Sequence, residues 1–235
     1  MCGRFAQKLP SHMLLDMYKI IPFETNVPPN YNVAPTDPAM VVRVNPDKQR
    51  MAEMMKWGLV PSWSKDRSGV ARMINARVES VPDKPAFRAA YAKRRCLVPA
   101  DGWYEWQVID GASKPVKQPM YMTPSDGHVL AFAGLYEFWR SEAGTLSTCT
   151  IITCESVGAL GQIHDRMPLV LARDSWARWL DPAVSDPADL LRPWDEVAGE
   201  HIELRPVAST VNSVDNNGPE LIDRVEPIPP AQTLF

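Results

Sequence analysis

Short apolar segments separated by turn residues run along most of the chain, and this pattern predicts a β-rich fold. Residues 40–44 have strand character, and residues 51–60 are predicted to pair with them as a hairpin closed by Asn45-Pro46-Asp47. Two more strands are predicted on either side of an Asp101-Gly102 turn. The later segments with a strand pattern are 96–100, 103–108, 120–123, 129–139, 146–154 and 202–207. The runs at 129–139 and 146–154 are almost continuously apolar, which is typical of strands buried in a barrel or sheet.

Helical patterns are confined to short segments. Ser11 is predicted to cap a helix that extends to Lys19, and proline in the first turn favours another helix over 85–93. Asp174 is predicted to cap a helix that carries Trp176. Further short helices are predicted at 157–163 and 187–191, and irregular backbone at 31–36. No internal repeat or low-complexity linker interrupts the chain, which predicts one domain over 1–225 and a loose C-terminal tail over 226–235.

Composition narrows the class of protein further. The 23 prolines in 235 residues are roughly twice the usual share of about 5%, which argues against a helical bundle. No apolar run has membrane length, and the polar N-terminus does not resemble a signal peptide. The four cysteines have no C-x-x-C spacing, so neither a zinc site nor a disulfide framework is predicted. We therefore expect a cytoplasmic protein without a metal or cofactor.

Charge is distributed unevenly between the two halves of the chain. Residues 1–106 carry 16 Lys and Arg against 10 Asp and Glu, a balance of +6, whereas residues 107–235 carry 9 against 18, a balance of −9. Such asymmetry predicts a basic face built by the first half and a solvated acidic remainder. The run Lys93-Arg94-Arg95 is predicted to lie on the outer face of a helix rather than on DNA.

Cys2 is the first candidate for chemistry. Removal of Met1, which a small second residue favours, would leave an N-terminal cysteine with a free α-amine and a thiol on adjacent carbons. Their reference pKa values are about 7.7–8.0 and about 8.5, so both are partly nucleophilic near neutrality. The amine can form an imine with an aldehyde, and the thiol can then close a five-membered thiazolidine. By position alone, an ordinary buried cysteine is the commoner outcome.

Further candidates lie in four polar or aromatic clusters. Asn75 and Arg77 would share one side of an extended segment, where they could hold a sugar oxygen and a phosphate or form cross-strand pairs. Glu105 lies between aromatic residues, where burial would raise its pKa and suit it to acid–base chemistry, although an exposed strand position is more common. His164 could shuttle a proton or belong to a solvated turn. Trp63 could stack on unpaired bases, whereas Trp57 is predicted to be core.

Together these segments resemble the SRAP (SOS response-associated peptidase) family, whose members crosslink themselves to abasic sites in single-stranded DNA. The matching segments are Met1-Cys2-Gly3-Arg4-Phe5, Tyr31-Asn32-Val33-Ala34-Pro35, Trp57-Gly58-Leu59-Val60-Pro61-Ser62-Trp63, Asn75-Ala76-Arg77-Val78-Glu79, Pro99-Ala100-Asp101-Gly102-Trp103-Tyr104-Glu105-Trp106 and His164-Asp165-Arg166-Met167-Pro168. Because six segments occur in the same order as in the family, the resemblance is specific. The resemblance implies an α+β fold: a single compact domain with a mostly antiparallel, barrel-like β core and short peripheral helices.

The resemblance also implies roles for individual residues. Cys2 would form the imine at C1′ of the sugar and then the thiazolidine, and Glu105 would help to open the sugar ring. His164 would assist imine formation, and Asn75 would hold the sugar or the linkage. The residues implied in DNA binding are Arg4, Trp63 and Arg77. Weak lyase activity through β-elimination is expected. The resemblance leaves open whether the protein also has an autoproteolytic activity.

The implied partners are single strands that contain abasic sites, including junctions with duplex on one side. No membrane partner is expected, the protein is expected to act as a monomer, and it would join the nucleoid when bound to DNA. Two other classes stay open. Class II glutamine amidotransferases, which are N-terminal-nucleophile amidohydrolases, also begin Met-Cys-Gly, but they continue differently from Arg4-Phe5; a peptidase is the narrower version of this class. The second open class is a module that binds single-stranded DNA without forming a covalent bond.

Overall fold

The computed structural model describes residues 2–22, 27–109, 116–193 and 199–229. In these ranges strands make up most of the regular secondary structure, and the helices are short. The strands are β1 Phe5–Gln7, β2 Asn30–Val33, β3 Pro38–Val44, β4 Arg50–Trp57, β5 Asn75–Arg77, β6 Arg95–Ala100, β7 Gly102–Ile109, β8 Val116–Pro124, β9 Leu130–Ser141, β10 Gly144–Glu155, β11 Arg166–Pro168 and β12 Ile202–Pro206. The α-helices are α1 Ser11–Tyr18, α2 Arg88–Lys93 and α3 Trp176–Leu180.

Five strands form a closed barrel in the order β10-β4-β3-β6-β9, and the β9–β10 hairpin completes the circle. The pairs are antiparallel except β10–β4, which is parallel. The predicted β3–β4 hairpin is present, with Val44 opposite Arg50. The predicted fold, a single compact α+β domain with a mostly antiparallel barrel core and short helices, is therefore confirmed.

A second sheet, in the order β12-β8-β7-β1-β2, lies beside the barrel. Its strand β1 pairs with β2 on one side and β7 on the other, so that Phe5 lies opposite both Val33 and Trp103. The Phe5 ring is fully buried and contacts Trp57 and Phe132 of the barrel edge-on. A strand held between two others at the start of the chain fixes the position of Cys2.

The strands predicted on either side of Asp101-Gly102 are present as β6 and β7, and this step joins the two sheets. Strand β6 pairs with β3 and β9 of the barrel, whereas β7 pairs with β1 and β8. A Cβ atom on Gly102 would lie 2.4 Å from the main-chain oxygen of Met122. The close approach of β8 therefore requires glycine where the chain changes sheets.

Several local predictions differ in detail from the structure. Helix α1 begins at Ser11 itself, so Pro10 and not Ser11 occupies the cap position. The second helix begins at Arg88, because the residues from Pro85 form turns before it. Asp174 lies within a 3₁₀ turn and does not cap α3. The helices predicted at 157–163 and 187–191 are the 3₁₀ turns Gly158–Gln162 and Ala188–Leu190.

Two further corrections concern polar segments. The stretch predicted to be irregular includes strand β2, which pairs with β1. Arg95, predicted to decorate a helix surface, is 3% exposed and donates five hydrogen bonds of 2.5 to 3.0 Å. The acceptors are the main-chain oxygens of Tyr91, Ala92, Trp179, Asp181 and Val184. This cluster, the Arg95 clamp, joins α2 to the chain around α3.

The core runs through the barrel and beneath the second sheet. Trp57 is fully buried, as predicted. In the described part of the chain, none of the helices has the length and apolarity needed to cross a membrane. The predicted loose tail falls mostly on residues 230–235, which lie outside the described ranges. In the described part of this segment, the Ile228 amide donates to Oε1 of Gln118.

Candidate active site

Cys2 lies fully buried next to the start of β1. Its main-chain oxygen accepts a 2.7 Å hydrogen bond from Nδ2 of Asn75. Burial raises the pKa of the Cys2 thiol well above its ordinary value, and the nearby charge of Glu105 raises it further, while the main-chain N–H of Arg4 partly opposes this. The thiol is therefore protonated at neutral pH and needs a base before it can act as a nucleophile.

Asn75 is positioned by strand β5, which extends the barrel by pairing in parallel with β10, Asn75 opposite Ile151. The indole Nε1 of Trp57 donates to the main-chain oxygen of Ile74 at 2.8 Å and fixes the start of this strand. Gly58 makes the loop possible, since its φ is +128° and a Cβ atom would lie 2.2 Å from the Val70 main-chain oxygen. The Asn75 side chain is thereby held against Cys2.

The other amide atom of Asn75 is available for chemistry. Its Oδ1 is buried and has no hydrogen-bond partner within the described ranges. Buried polar atoms are normally paired, so an unpaired acceptor in a site indicates a place for a donor from a ligand. A hydroxyl group or a protonated amine at this position would satisfy it.

Glu105 lies on β7 and is 3% exposed, so the alternative of an outward-facing strand residue is wrong. Burial raises the pKa of its carboxyl group to about 7, and the charge of Asp165 contributes in the same direction. At neutral pH this group is present both as an acid and as a base. Such a pKa is the one that suits proton transfer under physiological conditions.

His164 lies in the turn that precedes β11, and its side chain is 29% exposed. Burial lowers the pKa of its imidazole, which favours the neutral form at pH 7. The Arg166 amide donates to Nδ1 at 3.0 Å, and Oδ1 of Asp165 lies 2.8 Å from the same nitrogen. Because Asp165 also acts on Glu105, the turn lies close to the Cys2–Glu105 pair.

The three residues expected to bind DNA occupy different environments. Trp63 is 67% exposed and Arg77 is exposed beside Asn75. Arg4 is 9% exposed: its Nη1 donates to Oδ1 of Asn32 at 2.7 Å and to the Val211 main-chain oxygen at 2.8 Å. Arg4 thus ties β1 to β2 and to the C-terminal segment, and a phosphate contact from it stays a prediction.

Asn32 is a polar residue to which the sequence alone assigned no role. It is 1% exposed and donates through Nδ2 to the main-chain oxygens of Ser213 and Asn216, at 2.9 and 2.8 Å. Together with Arg4 it anchors the chain around 211–216 beneath the start of the chain. Its place in one of the six matching segments was the available signal, but no spacing rule links residue 32 to residue 213.

The arrangement combines a thiol, a carboxyl group with a pKa near neutrality, an amide and a neutral imidazole. Within the described ranges, no three His, Cys, Asp or Glu residues are grouped in a way that could hold a metal ion. These side chains can bind a carbonyl compound, move protons to and from it, and attack it through sulfur.

Comparison with known proteins identifies the family of the chain. Residues 1–214 match the family model described as SOS response associated peptidase (SRAP). The chain is 38% identical over 229 residues to the abasic site processing protein YoqW of Bacillus subtilis, covering 95% of this chain and 99% of YoqW. It is 29% identical over 273 residues to the mouse abasic site processing protein HMCES, covering 94% of this chain and 75% of HMCES.

Solved structures show the same fold. A protein from Bacteroides thetaiotaomicron superposes with a TM-score of 0.80 at 23% identity, covering 96% of this chain and all of that chain. A phage-related protein of Bordetella bronchiseptica superposes with a TM-score of 0.69 at 30% identity, covering 88% and 94% of the two chains. From its sequence and its structure, the chain belongs to the SRAP family.

Proposed function

We propose that this protein recognises abasic sites in single-stranded DNA and forms a stable covalent crosslink to them through Cys2. The observation that carries the proposal is the buried Cys2, held by Asn75 and placed beside a Glu105 carboxyl group whose pKa is about 7. The names of YoqW and HMCES, both abasic site processing proteins, support this choice of substrate.

The first step is imine formation. With Met1 removed, the Cys2 α-amine adds to the C1′ aldehyde of the ring-opened sugar, and the C1′ oxygen then leaves as water. Glu105 moves the protons that open the ring, and the neutral His164 assists dehydration of the adduct. General acid–base catalysis of this kind contributes roughly 10²–10⁴-fold.

The second step closes the ring. The Cys2 sulfur adds to the imine carbon, the thiol proton passes to the imine nitrogen, and a five-membered thiazolidine results with no further leaving group. Because burial keeps the thiol protonated, sulfur does not react before the amine has bound the aldehyde. Ionised Glu105, whose charge acts on this thiol, would accept the thiol proton and relay it to nitrogen.

Ring closure determines the fate of the strand. The imine is also the intermediate from which β-elimination cuts the sugar–phosphate backbone, so weak lyase activity is expected. Sulfur addition removes the imine, suppresses elimination and shields the lesion. Asn75 supports this by holding the Cys2 carbonyl and by offering its buried Oδ1 to the sugar.

Recognition of the strand falls to two exposed residues. Arg77 follows Asn75 on the same strand and can contact a phosphate, and the exposed Trp63 ring can lie against an unpaired base. A duplex keeps the abasic sugar between stacked neighbours, so single strands and junctions with duplex on one side are the preferred substrates. Contacts of this kind read no particular sequence.

One gel tests the proposal. Purified protein is incubated with matched abasic and intact oligonucleotides, and each sample is boiled in SDS before electrophoresis. We expect a shifted band with the abasic strand alone. Equal retention of both strands before denaturation and none after it would identify a non-covalent binding module. No retention combined with release of ammonia or a peptide from an amide substrate would identify an N-terminal-nucleophile hydrolase.

A further inference from the structure

Two segments singled out in the sequence meet in an ion pair to which the proposed function gives no role. Arg166 donates from Nη1 to Oε1 of Glu79 at 2.6 Å and from Nη2 to Oε2 at 3.1 Å. Nη2 also donates to the main-chain oxygen of Thr153 at 2.6 Å. The side chain of Arg166 is 11% exposed and that of Glu79 is 51% exposed. The pair therefore joins the end of the Asn75 segment to the His164 turn across β10.

Nδ1 of His164 has two competing neighbours. The main-chain N–H of Arg166 donates to it, which requires a lone pair on Nδ1 and leaves the proton on Nε2. Oδ1 of Asp165 lies 2.8 Å from the same nitrogen and can only accept a hydrogen bond, which would require the proton on Nδ1. In the neutral imidazole these two arrangements exclude each other.

The Glu79–Arg166 ion pair favours the arrangement with the proton on Nε2. The Asp165 side chain is 84% exposed and can turn into solvent at little cost. The Arg166 amide cannot turn away, because its residue is paired with Glu155 at the start of β11 and its guanidinium is fastened to Glu79 and Thr153. A bidentate arginine–carboxylate pair fixes orientation as well as distance.

We propose that the Glu79–Arg166 ion pair is a positioning device that fixes His164 as the Nε2–H tautomer. The nitrogen that carries the proton is then the one turned away from the Arg166 amide, where it can serve as a hydrogen-bond donor or acid. Glu79 and Arg166 are positioning residues that act through His164. The catalytic part of this inference rests on the proposed function, whereas the tautomer itself does not.

Nitrogen-15 NMR of the imidazole rings tests the tautomer directly, in the intact protein without DNA. The chain has four histidines, so the ring signals can be assigned by substituting them one at a time. Wild-type His164 is expected at pH 7.5 as the Nε2–H form. Glu79→Gln keeps the shape of the side chain and removes its charge, and is expected to shift His164 towards the Nδ1–H form that Asp165 favours.

A second substitution makes the test specific. In Glu79→Gln/Asp165→Ala the competing acceptor is gone, and the Nε2–H signal is expected to return. Arg178→Gln breaks another exposed arginine–carboxylate pair, with Asp189, and serves as the matched control that leaves His164 unchanged. A wild-type tautomer in Glu79→Gln, or a shifted tautomer that the second substitution does not restore, would overturn the proposal.

Single-turnover crosslinking then tests the consequence. Glu79→Gln is expected to slow it by about tenfold or more, within the range of a positioned acid or base, and Glu79→Gln/Asp165→Ala is expected to recover most of the rate. Binding of intact single-stranded DNA is expected to change little. A rate loss that parallels weaker binding of intact DNA would instead make Arg166 a phosphate contact. A shifted tautomer without a change in rate would disprove the catalytic part alone.

Discussion

Two buried polar clusters in this molecule differ in how they accommodate the cost of burying an ionisable group. In the Arg95 clamp, a guanidinium that burial disfavours is surrounded by five main-chain oxygens and lies 5.6 Å from the centre of the Trp179 ring. In the Cys2 site, formed by Cys2, Asn75, Glu105 and His164, burial instead raises the pKa of the thiol and of the Glu105 carboxyl group. The Arg95 guanidinium stays charged, whereas near neutral pH the Cys2 thiol is protonated and the Glu105 carboxyl group is partly protonated.

The difference separates structure from chemistry. A charge whose donors are all directed at fixed oxygens holds segments together and has no capacity left for a ligand. A carboxyl group that titrates near pH 7 can give and take protons, and a buried protonated thiol becomes reactive when a base reaches it. Burial alone therefore does not identify a reactive site; a carboxyl group that titrates near neutral pH beside a buried thiol distinguishes the Cys2 site.

The largest expected effect comes from the thiol itself. Cys2→Ser retains the α-amine but lacks the sulfur that closes the ring, so the stable adduct with abasic DNA is expected to disappear. An imine should still form and be trapped by borohydride, and Cys2→Ala should behave likewise with more strand cleavage. Denaturing gels with and without borohydride measure this. A stable adduct in untrapped Cys2→Ser would remove the thiol from the mechanism.

Arg95→Ala is expected to have the opposite profile. It leaves five main-chain oxygens without their donor, which should lower the free energy of unfolding by about 3–5 kcal/mol. Urea denaturation followed by tryptophan fluorescence measures the loss, and Arg178→Ala, at an exposed ion pair, is the control. Crosslinking per folded molecule should stay near wild type. A stable variant that no longer crosslinks would place Arg95 in the chemistry.

Glu105→Gln should separate activity from stability. Without the titrating carboxyl group, crosslinking is expected to slow by roughly 10²–10⁴-fold. Stability should move the other way, because the folded protein keeps a proton between pH 4.5 and about 7 that the unfolded chain has lost. Wild-type stability therefore falls as pH rises through this window, by up to about 3 kcal/mol.

The glutamine variant has no such proton, so it should be the more stable protein at pH 8, and its advantage should vanish below pH 4.5. Paired denaturation curves of wild type and variant at several pH values measure the difference, from which other titrating groups cancel. A stability difference that does not depend on pH would mean that the Glu105 pKa is unshifted. An unchanged single-turnover rate would remove Glu105 from the mechanism.

The local features of the fold could be predicted from the sequence. Turn chemistry at Asn45-Pro46-Asp47 and the apolar runs predicted the barrel hairpins, because both signals are local. The chemistry of the side chains singled out Cys2, Asn75, Glu105 and His164 as candidates, and the six matching segments indicated their roles. The burial of Glu105 and Arg95 could not be read from the chain, since it depends on which strands and helices cover them.

Contacts between distant segments were the hardest to predict. The Arg4–Asn32 hydrogen bond and the Glu79–Arg166 pair join positions 28 and 87 residues apart. Nothing in the local pattern pairs such positions, because their proximity results from strand order. The change of sheet at Asp101 is similar: the local signal was a turn, and the strand partners decided its direction.

The smallest effect is expected at the surface of the Cys2 site. Arg77→Ala should weaken binding of single-stranded DNA to a similar extent for all sequences and reduce the magnitude of the salt-dependence slope by about 0.7, the value for one phosphate contact on a single strand. Arg224→Ala, which removes an exposed arginine paired with Glu203 on the second sheet, is the control. A loss that depends on the flanking bases would make Arg77 a base contact.

Mass spectrometry of the crosslinked N-terminal peptide tests whether Cys2 forms the thiazolidine. Protein is reacted with an abasic single strand, without borohydride, and digested with nuclease and protease. We expect a peptide that begins at Cys2, lacks Met1, and carries the sugar remnant with the loss of one water on the cysteine amine and sulfur. An adduct on a lysine, or a crosslinked peptide that retains Met1, would contradict it.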